Sequence, residues 1–278
     1  MKGGKELAVT RAATTKDYSA IAKAKIKKPS QQKQRLPSIL VYARNKKGKT
    51  RFCTTAPGVL ILDPTTEHGT DEFTKVDPDV WPIERWEDFD EVYKFLRSGD
   101  HEYRYVAFDG LTRFSNMALR FVMEQAEEHD LSRKPGMVQQ RDYGKAGELM
   151  KGMLHNFQNL PIGTIYTAQE RMIEAGGYGE EDEDVEEAAV QYVPDLPKGV
   201  RSTVNALVDV IGRIYTVKDD SGDKPVIRRR LWLEPSAIYD TGYRSEYVLP
   251  QYLSNPTVPR LIRAIRTGDP NPPKKEGK

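Results

Sequence analysis

One stretch limits the fold of this chain more than any other. Ser38-Ile-Leu-Val-Tyr42 is an unbroken apolar and β-branched run, and Ala43-Arg-Asn-Lys-Lys-Gly48-Lys49-Thr50 follows it directly. A phosphate-binding loop requires this order: a buried strand, a turn whose backbone N–H groups surround an anion, and the start of a helix. In that reading Ala43, Arg44, Asn45, Lys46, Lys47, Gly48, Lys49, Thr50 and Arg51 form the nucleotide-binding segment. Lys49 neutralises charge on the β- and γ-phosphates of ATP, and the Thr50 hydroxyl ligates Mg2+. The pattern departs at its first position, where Ala43 stands in place of a glycine. Alanine takes a positive φ only at a cost, so the sequence predicts an altered or strained loop entrance. A basic surface turn is the alternative reading of the same residues.

The rest of the chain supplies the context that such a loop needs. Val59-Leu-Ile-Leu62, Tyr105-Val-Ala-Phe108 and Ile162-Gly-Thr-Ile-Tyr166 are further unbroken runs, as expected for strands covered on both faces. Between them lie stripes at helical spacing: Trp86, Phe89, Val92, Tyr93 and Leu96; Phe114, Met117, Ala118, Phe121 and Val122; Leu149, Met153, Leu154 and Phe157. Strands alternating with helices predict a doubly wound α/β domain with a mostly parallel sheet and helices on both faces. From about Val208 the pattern changes to Val210–Val217 and Val226–Leu233 around Asp219-Asp-Ser-Gly-Asp, a C-terminal hairpin extension.

Three further side chains fit phosphate chemistry. Asp109 ends the Tyr105–Phe108 run, where an acid at the carboxyl end of a parallel strand holds magnesium; an ordinary Asp-Gly turn is the alternative. Glu67, in Ile61-Leu62-Asp63-Pro-Thr-Thr-Glu67-His68-Gly69, can orient the water that attacks the γ-phosphate. Gln169, past Tyr166, can sense that phosphate. Each of the last two, taken alone, also reads as a solvated loop side chain.

Loop, Glu-His, Asp and Gln, in that order after successive strands, resemble the RecA-like recombinases. The chain is most similar to the compact phage RecA-like proteins, the Sak-type single-strand annealing group. Asp142-Tyr-Gly144 before a helix, Leu160-Pro161, and Val193-Pro-Asp-Leu-Pro197 ahead of Leu207–Arg213 extend the likeness over roughly residues 36–265. The resemblance implies a RecA-like P-loop NTPase fold, with Glu67 as the water-activating acid and Gln169 as the switch. It implies ATP-dependent single-stranded-DNA binding with annealing or strand exchange, homo-oligomerisation into a filament or ring, and cooperation with a single-strand-binding protein in a phage-infected cell. DNA would meet two loops, one offering Arg133, Lys134 and Arg141, the other Arg171, Lys198 and Arg201. A motor or loader ATPase, and a nucleotide-binding scaffold with little turnover, remain alternative readings.

Composition sets the outer bounds. With 278 residues, 38% of them hydrophobic and 30% charged, the chain can bury one sizeable core. It contains no 18-residue apolar run, and its Lys-rich start lacks the apolar stretch of a secretory signal, so a cytoplasmic, membrane-free setting is expected. Cys53 is the only cysteine, which excludes an intramolecular disulfide and a cysteine zinc cage. Residues 1–36 carry a local charge of +8, from ten basic residues against Glu6 and Asp17. That reads either as a flexible arm touching nucleic acid or a neighbouring subunit, or as a solvated leader. The core is placed at residues 37–265 and a disordered tail at 266–278. Seven of the eight residues Glu180–Glu187 are acidic. They read as a solvated insertion, or as a cover that DNA displaces from a basic surface.

Overall fold

The computed structural model describes residues 18–31, 34–130, 132–174, 190–219 and 225–271. The first 17 residues of the basic segment, the acidic run Glu180–Glu187 and the last seven residues lie outside this set. Internal contacts divide the chain between Gln34 and Arg35. The N-terminal unit holds helix α1 (Tyr18–Lys25) and one 3-10 turn at Pro29–Gln31, with its described side chains exposed.

The second unit is built on a sheet. Its elements in chain order are β1 (Ile39–Ala43), α2 (Lys49–Cys53), β2 (Val59–Pro64), β3 (Asp79–Ile83), α3 (Asp88–Ser98), β4 (Tyr105–Asp109), α4 (Leu111–His129) and α5 (Gln140–Gln158). There follow β5 (Gly163–Glu174), β6 (Val190–Pro194), α6 (Lys198–Leu207), β7 (Val210–Asp219), β8 (Val226–Trp232), β9 (Gly242–Tyr243), β10 (Tyr252–Ser254) and α7 (Val258–Thr267). The strands run β10-β8-β7-β1-β5-β4-β2-β3 across the sheet, and from β7 to β3 every pairing is parallel. β8 and β10 add antiparallel, so the expected hairpin extends the same sheet.

Burial on both faces explains the unbroken apolar runs. Alternate residues of β1 point to opposite sides. Leu40 and Tyr42 join the core under α3, α4, α5 and α6, whereas Ile39, Val41 and Ala43 face α2 and α7. On the first side Phe108 meets Phe157 edge-on at 4.9 Å, and Phe89 meets Phe114 likewise at 4.9 Å. Each fully buried side chain of this size contributes about 1.5–3 kcal/mol. The architecture is therefore a doubly wound, mostly parallel α/β sheet. No helix among the described residues is long and apolar enough to cross a membrane.

The structure differs from the sequence reading in its less regular parts. β3 (Asp-Val-Trp-Pro-Ile) was masked by its proline and polar start. It is an edge strand paired only with β2, the place where a residue without N–H is tolerated. β5 does not stop near Tyr166; it leaves the buried sheet after Ala168 and continues, more exposed, alongside β6. Asp142-Tyr-Gly144 lies inside the first turn of α5 rather than before it, because Asp142 is the N3 partner of a capping box with Gln139. Helices α6 and α7 were not foreseen. α7 starts at a Thr257 cap and covers the second core with Val258, Leu261 and Ala264.

Candidate nucleotide site

The carboxyl ends of β1, β2, β4 and β5 open on one edge of the sheet, where doubly wound sheets bind ligands. A cavity of about 760 Å³ lies there. Lys49, Thr50, Glu67, Asp109 and Gln169, which belong to widely separated stretches of sequence, all line it. Asn45, Lys46, Gly48 and Arg51 contribute to its wall as well.

The loop after β1 achieves its turn in an unexpected way. Ala43 is not strained: it is the last residue of β1, fully buried and in register with Gln169. The positive φ values fall later, at Lys46 (61°) and Gly48 (101°). The missing first glycine thus leaves the entrance regular, and the conformational cost sits on Lys46. Of the segment expected to hold nucleotide, Ala43, Arg44 and Lys47 do not line the cavity. Lys47 Nζ donates to Thr216 Oγ1 on β7 at 3.0 Å, and Arg44 Nε donates to Glu170 Oε1 at 3.1 Å. Lys49 Nζ faces inward. It donates to the carbonyls of Ala43 and Arg44 at 3.3 and 3.5 Å and to Gln169 Oε1 at 3.4 Å. Burial pushes its pKa down, against the pull of Asp109 and Glu67.

Opposite the lysine, oxygen atoms crowd together. Asp109 is 6% exposed; one carboxylate oxygen accepts from Thr50 Oγ1 at 2.5 Å and the other from Thr167 Oγ1 at 2.9 Å. Asp63, at the end of β2 and 5% exposed, accepts from the Thr70 backbone amide and hydroxyl with Oδ2, while its Oδ1 is buried with no partner among the described residues. A Cβ built on Gly69 would lie 3.3 Å from Asp109 Oδ2, 3.5 Å from Asp63 Oδ1 and 3.6 Å from Thr50 Oγ1, so these atoms ring one point. Burial raises the pKa of Asp63 and of Asp109, overriding the hydrogen bonds that lower each. Glu67, at the solvent edge of the cavity, is also raised, by burial first and then by the charge of Asp109. Desolvated carboxylates sharing a small space favour a divalent cation. Among the described residues no three His, Cys, Asp or Glu side chains are placed to hold a metal unaided. Mg2+ takes one or two carboxylates and completes its shell with phosphates and water.

Gln169 couples this chamber to its surroundings. Its backbone N–H donates to Thr112 Oγ1 at 3.0 Å, Thr112 donates on to the Asp195 backbone carbonyl, and the Asp195 backbone N–H returns to the Gln169 backbone carbonyl at 2.8 Å. The next residue, Glu170, has a side chain only 2% exposed and grips Arg213 Nε at 2.5 Å as well as Arg44.

The residues expected to meet DNA are dispersed and unlike one another. Arg133 corrects the expectation: its guanidinium is fully buried and paired with Asp142, so it anchors the α4–α5 connection and offers nothing to phosphate. Lys134 and Lys198 are exposed. Arg141 is 3.8 Å from Asp130 and Arg171 is 3.5 Å from Asp195. Arg201 is half-buried, and its Nη1 has no partner among the described residues. Sequence reasoning also passed over Asp63, Thr112, Arg113, Thr167 and Arg229, which border or line the chamber. Only Asp63 carried a signal: it ends an apolar strand just as Asp109 does.

A phosphate loop on a central strand, with β5 set between it and the acid-bearing β4, defines the class: a RecA-like P-loop NTPase. Residues 35–245 match the family model described as an AAA domain, and the chain belongs to that family. Among solved structures it is similar to a KaiC-like protein from the hyperthermophilic archaeon Pyrococcus horikoshii OT3, at 9% identity and a TM-score of 0.39, over 77% of this chain and 85% of the other. No curated protein matches.

Proposed function

We propose that the chain hydrolyses ATP at this chamber and uses the cycle to bind single-stranded DNA, in the manner of the phage Sak-type annealing or strand-exchange proteins. The observation that carries the reading is the convergence of Lys49, Thr50, Glu67, Asp109 and Gln169, from four strand ends, on one cavity. Backbone N–H groups of the loop and Lys49 Nζ hold the β- and γ-phosphates. Thr50, Asp109 and the Asp63 oxygen that has no partner among the described residues would hold Mg2+, which would supply neutralising charge to the phosphates. Glu67, with its raised pKa, accepts a hydrogen bond from a water at the cavity mouth. That water attacks the γ-phosphorus while the bond to the β,γ-bridging oxygen breaks. ADP leaves with the bonding electrons, and the water's proton passes to the Glu67 carboxylate.

Gln169 supports the link to DNA. It touches Lys49 at one end and, two residues further along β5, precedes Arg171. Loss of the γ-phosphate therefore bears on the strand that carries a basic group outward. The test is ATP turnover with and without single-stranded DNA, run beside annealing of complementary strands and unwinding of duplex. Stimulation by single strands together with annealing is expected. Unwinding without annealing would instead mark a motor, and nucleotide binding without turnover a scaffold.

A further inference from the structure

Three consecutive arginines on β8, Arg228, Arg229 and Arg230, face different surroundings. Strand alternation sends Arg228 and Arg230 to one side, where they pair with Asp219 and lie 4.2 Å over the Tyr252 ring respectively. Arg229 shares the other side with Leu231, which is buried in the core beneath α2 and α7. That side leads to the phosphate loop. Arg229 lines the same cavity as Lys49, and a Cβ built on Gly48 would lie 2.6 Å from its Nε and 2.9 Å from its Cδ. Gly48 is required for its φ of 101°, and a Cβ there would also displace the Arg229 side chain. The hairpin is fixed against the loop at a second point: Thr216, opposite Arg229 in the β7–β8 register, holds Lys47 Nζ at 3.0 Å.

Arg229 Nε is buried and donates to no acceptor among the described residues. A buried charged donor left without an acceptor is destabilising. A bound polyphosphate supplies acceptors at the one place where this guanidinium meets the loop. We infer that Arg229 is a further catalytic residue that contacts the terminal phosphates of the nucleotide in cis, from the β7–β8 hairpin of the same subunit. Its planar, permanently charged fork suits non-bridging phosphate oxygens, on which charge spreads as the γ-phosphoryl group transfers. This inference rests on the nucleotide-site reading above, and it makes the hairpin part of the site rather than an appendage.

Arg229→Met keeps the aliphatic stem on Gly48 and removes the charge; Arg229→Lys keeps the charge without the fork. Turnover and the ATP and ADP affinities are measured for both, with Lys49→Ala and Arg228→Gln alongside. Arginines in this role are worth about 10³–10⁵ in rate. Arg229→Met is expected to lose roughly 10³-fold or more in kcat and to narrow the preference for ATP over ADP, with a smaller loss for Arg229→Lys and none for Arg228→Gln. If Lys49→Ala abolishes nucleotide binding while both Arg229 variants hydrolyse and discriminate as wild type, the role of Arg229 is overturned and the site reading stands. Should Lys49→Ala bind ATP normally, the site reading itself falls, and this inference with it. Mixing Lys49→Ala and Arg229→Met subunits should restore no activity; restoration would place the arginine on a neighbour's nucleotide and overturn the cis assignment.

Discussion

The phosphate chamber and the surface expected to meet DNA handle charge in opposite ways. In the chamber, Asp63 and Asp109 are crowded and desolvated beside Glu67 at the solvent edge, one Asp63 oxygen has no partner among the described residues, and Lys49 is pushed toward its neutral form. Of the four arginines expected to meet DNA, three are already committed, Arg133 to Asp142, Arg141 to Asp130 and Arg171 to Asp195, and only Arg201 keeps a nitrogen without a partner among the described residues. Frustrated charge marks a site built for an absent counter-charge. Satisfied charge marks either structure or a contact that a ligand must win by competition. The contrast makes nucleotide chemistry the firmer half of the proposed function, and it can be attacked from either side.

Among the chamber's acids the largest expected effect is at Glu67. Glu67→Gln keeps the size of the side chain but cannot accept the water's proton, so single-turnover hydrolysis should slow by about 10²–10⁴-fold. Nucleotide affinity, measured by calorimetry, should hold. Wild-type turnover in this variant would move the base elsewhere and leave Glu67 as a wall of the chamber.

Asp109 tests whether the carboxylates are frustrated. Its folded pKa is raised, so its ionisation costs stability: the penalty is absent below the unfolded pKa and develops as pH rises through the folded one. In nucleotide-free protein near neutral pH, Asp109→Asn should therefore raise the Tm. The gain should shrink on acidification, and magnesium-dependent nucleotide affinity should fall. A Tm lowered by the substitution at every pH would mean that the bonds from Thr50 and Thr167 outweigh desolvation.

A smaller effect follows from Lys49. Burial lowers its pKa in the free protein, and an adjacent polyphosphate raises it, so the complex holds more proton than its separated parts. Nucleotide affinity should thus decline as pH rises through the lowered value. Calorimetry in buffers of different ionisation enthalpy should detect proton uptake on binding, and Lys49→Met should lack it. Uptake that persists in Lys49→Met belongs to another group.

The same division separates what could be read from the sequence. β1, β2 and β4 were legible because strands buried on both faces must be apolar throughout, and the loop and Asp109 were legible from their attachment to such strands. Ala43 misled because the rule for a first glycine concerns backbone angles, and those are set by where the turn begins; here it begins later, at Lys46. Arg133 misled for a different reason. Sequence displays its charge but not Asp142, nine residues on, folded against it in a helix cap. Arg229 was invisible among three arginines until strand register assigned each a side. The apolar spacing of Val258, Leu261 and Ala264 in α7 lies within the expected core of 37–265, but a ten-residue helix with a proline in its first turn gives little periodicity to read.

The subtlest test concerns Arg171, where the proposed DNA surface must show that it can release a charge. Arg171 is 47% exposed and 3.5 Å from Asp195, an exposed pair of the kind worth about 1 kcal/mol or less. DNA phosphate can therefore displace Asp195 at little expense. If it does, Arg171→Gln should weaken binding alike for all single strands and reduce the slope of log affinity against log salt by about 0.7. Asp195→Asn should act in the opposite sense, freeing Arg171 and raising affinity. That gain should be clearest at low salt, because exposed charges are screened beyond about 8 Å at physiological ionic strength. The two variants together should behave as Arg171→Gln alone, since the competitor matters only while the arginine is present. Asp195 also closes the hydrogen-bonded loop with Gln169 and Thr112, but through its backbone, which Asp195→Asn leaves intact. Unchanged affinity and slope in both single variants would assign this pair, like Arg133 with Asp142, to structure, and the DNA surface would have to be sought elsewhere on the molecule.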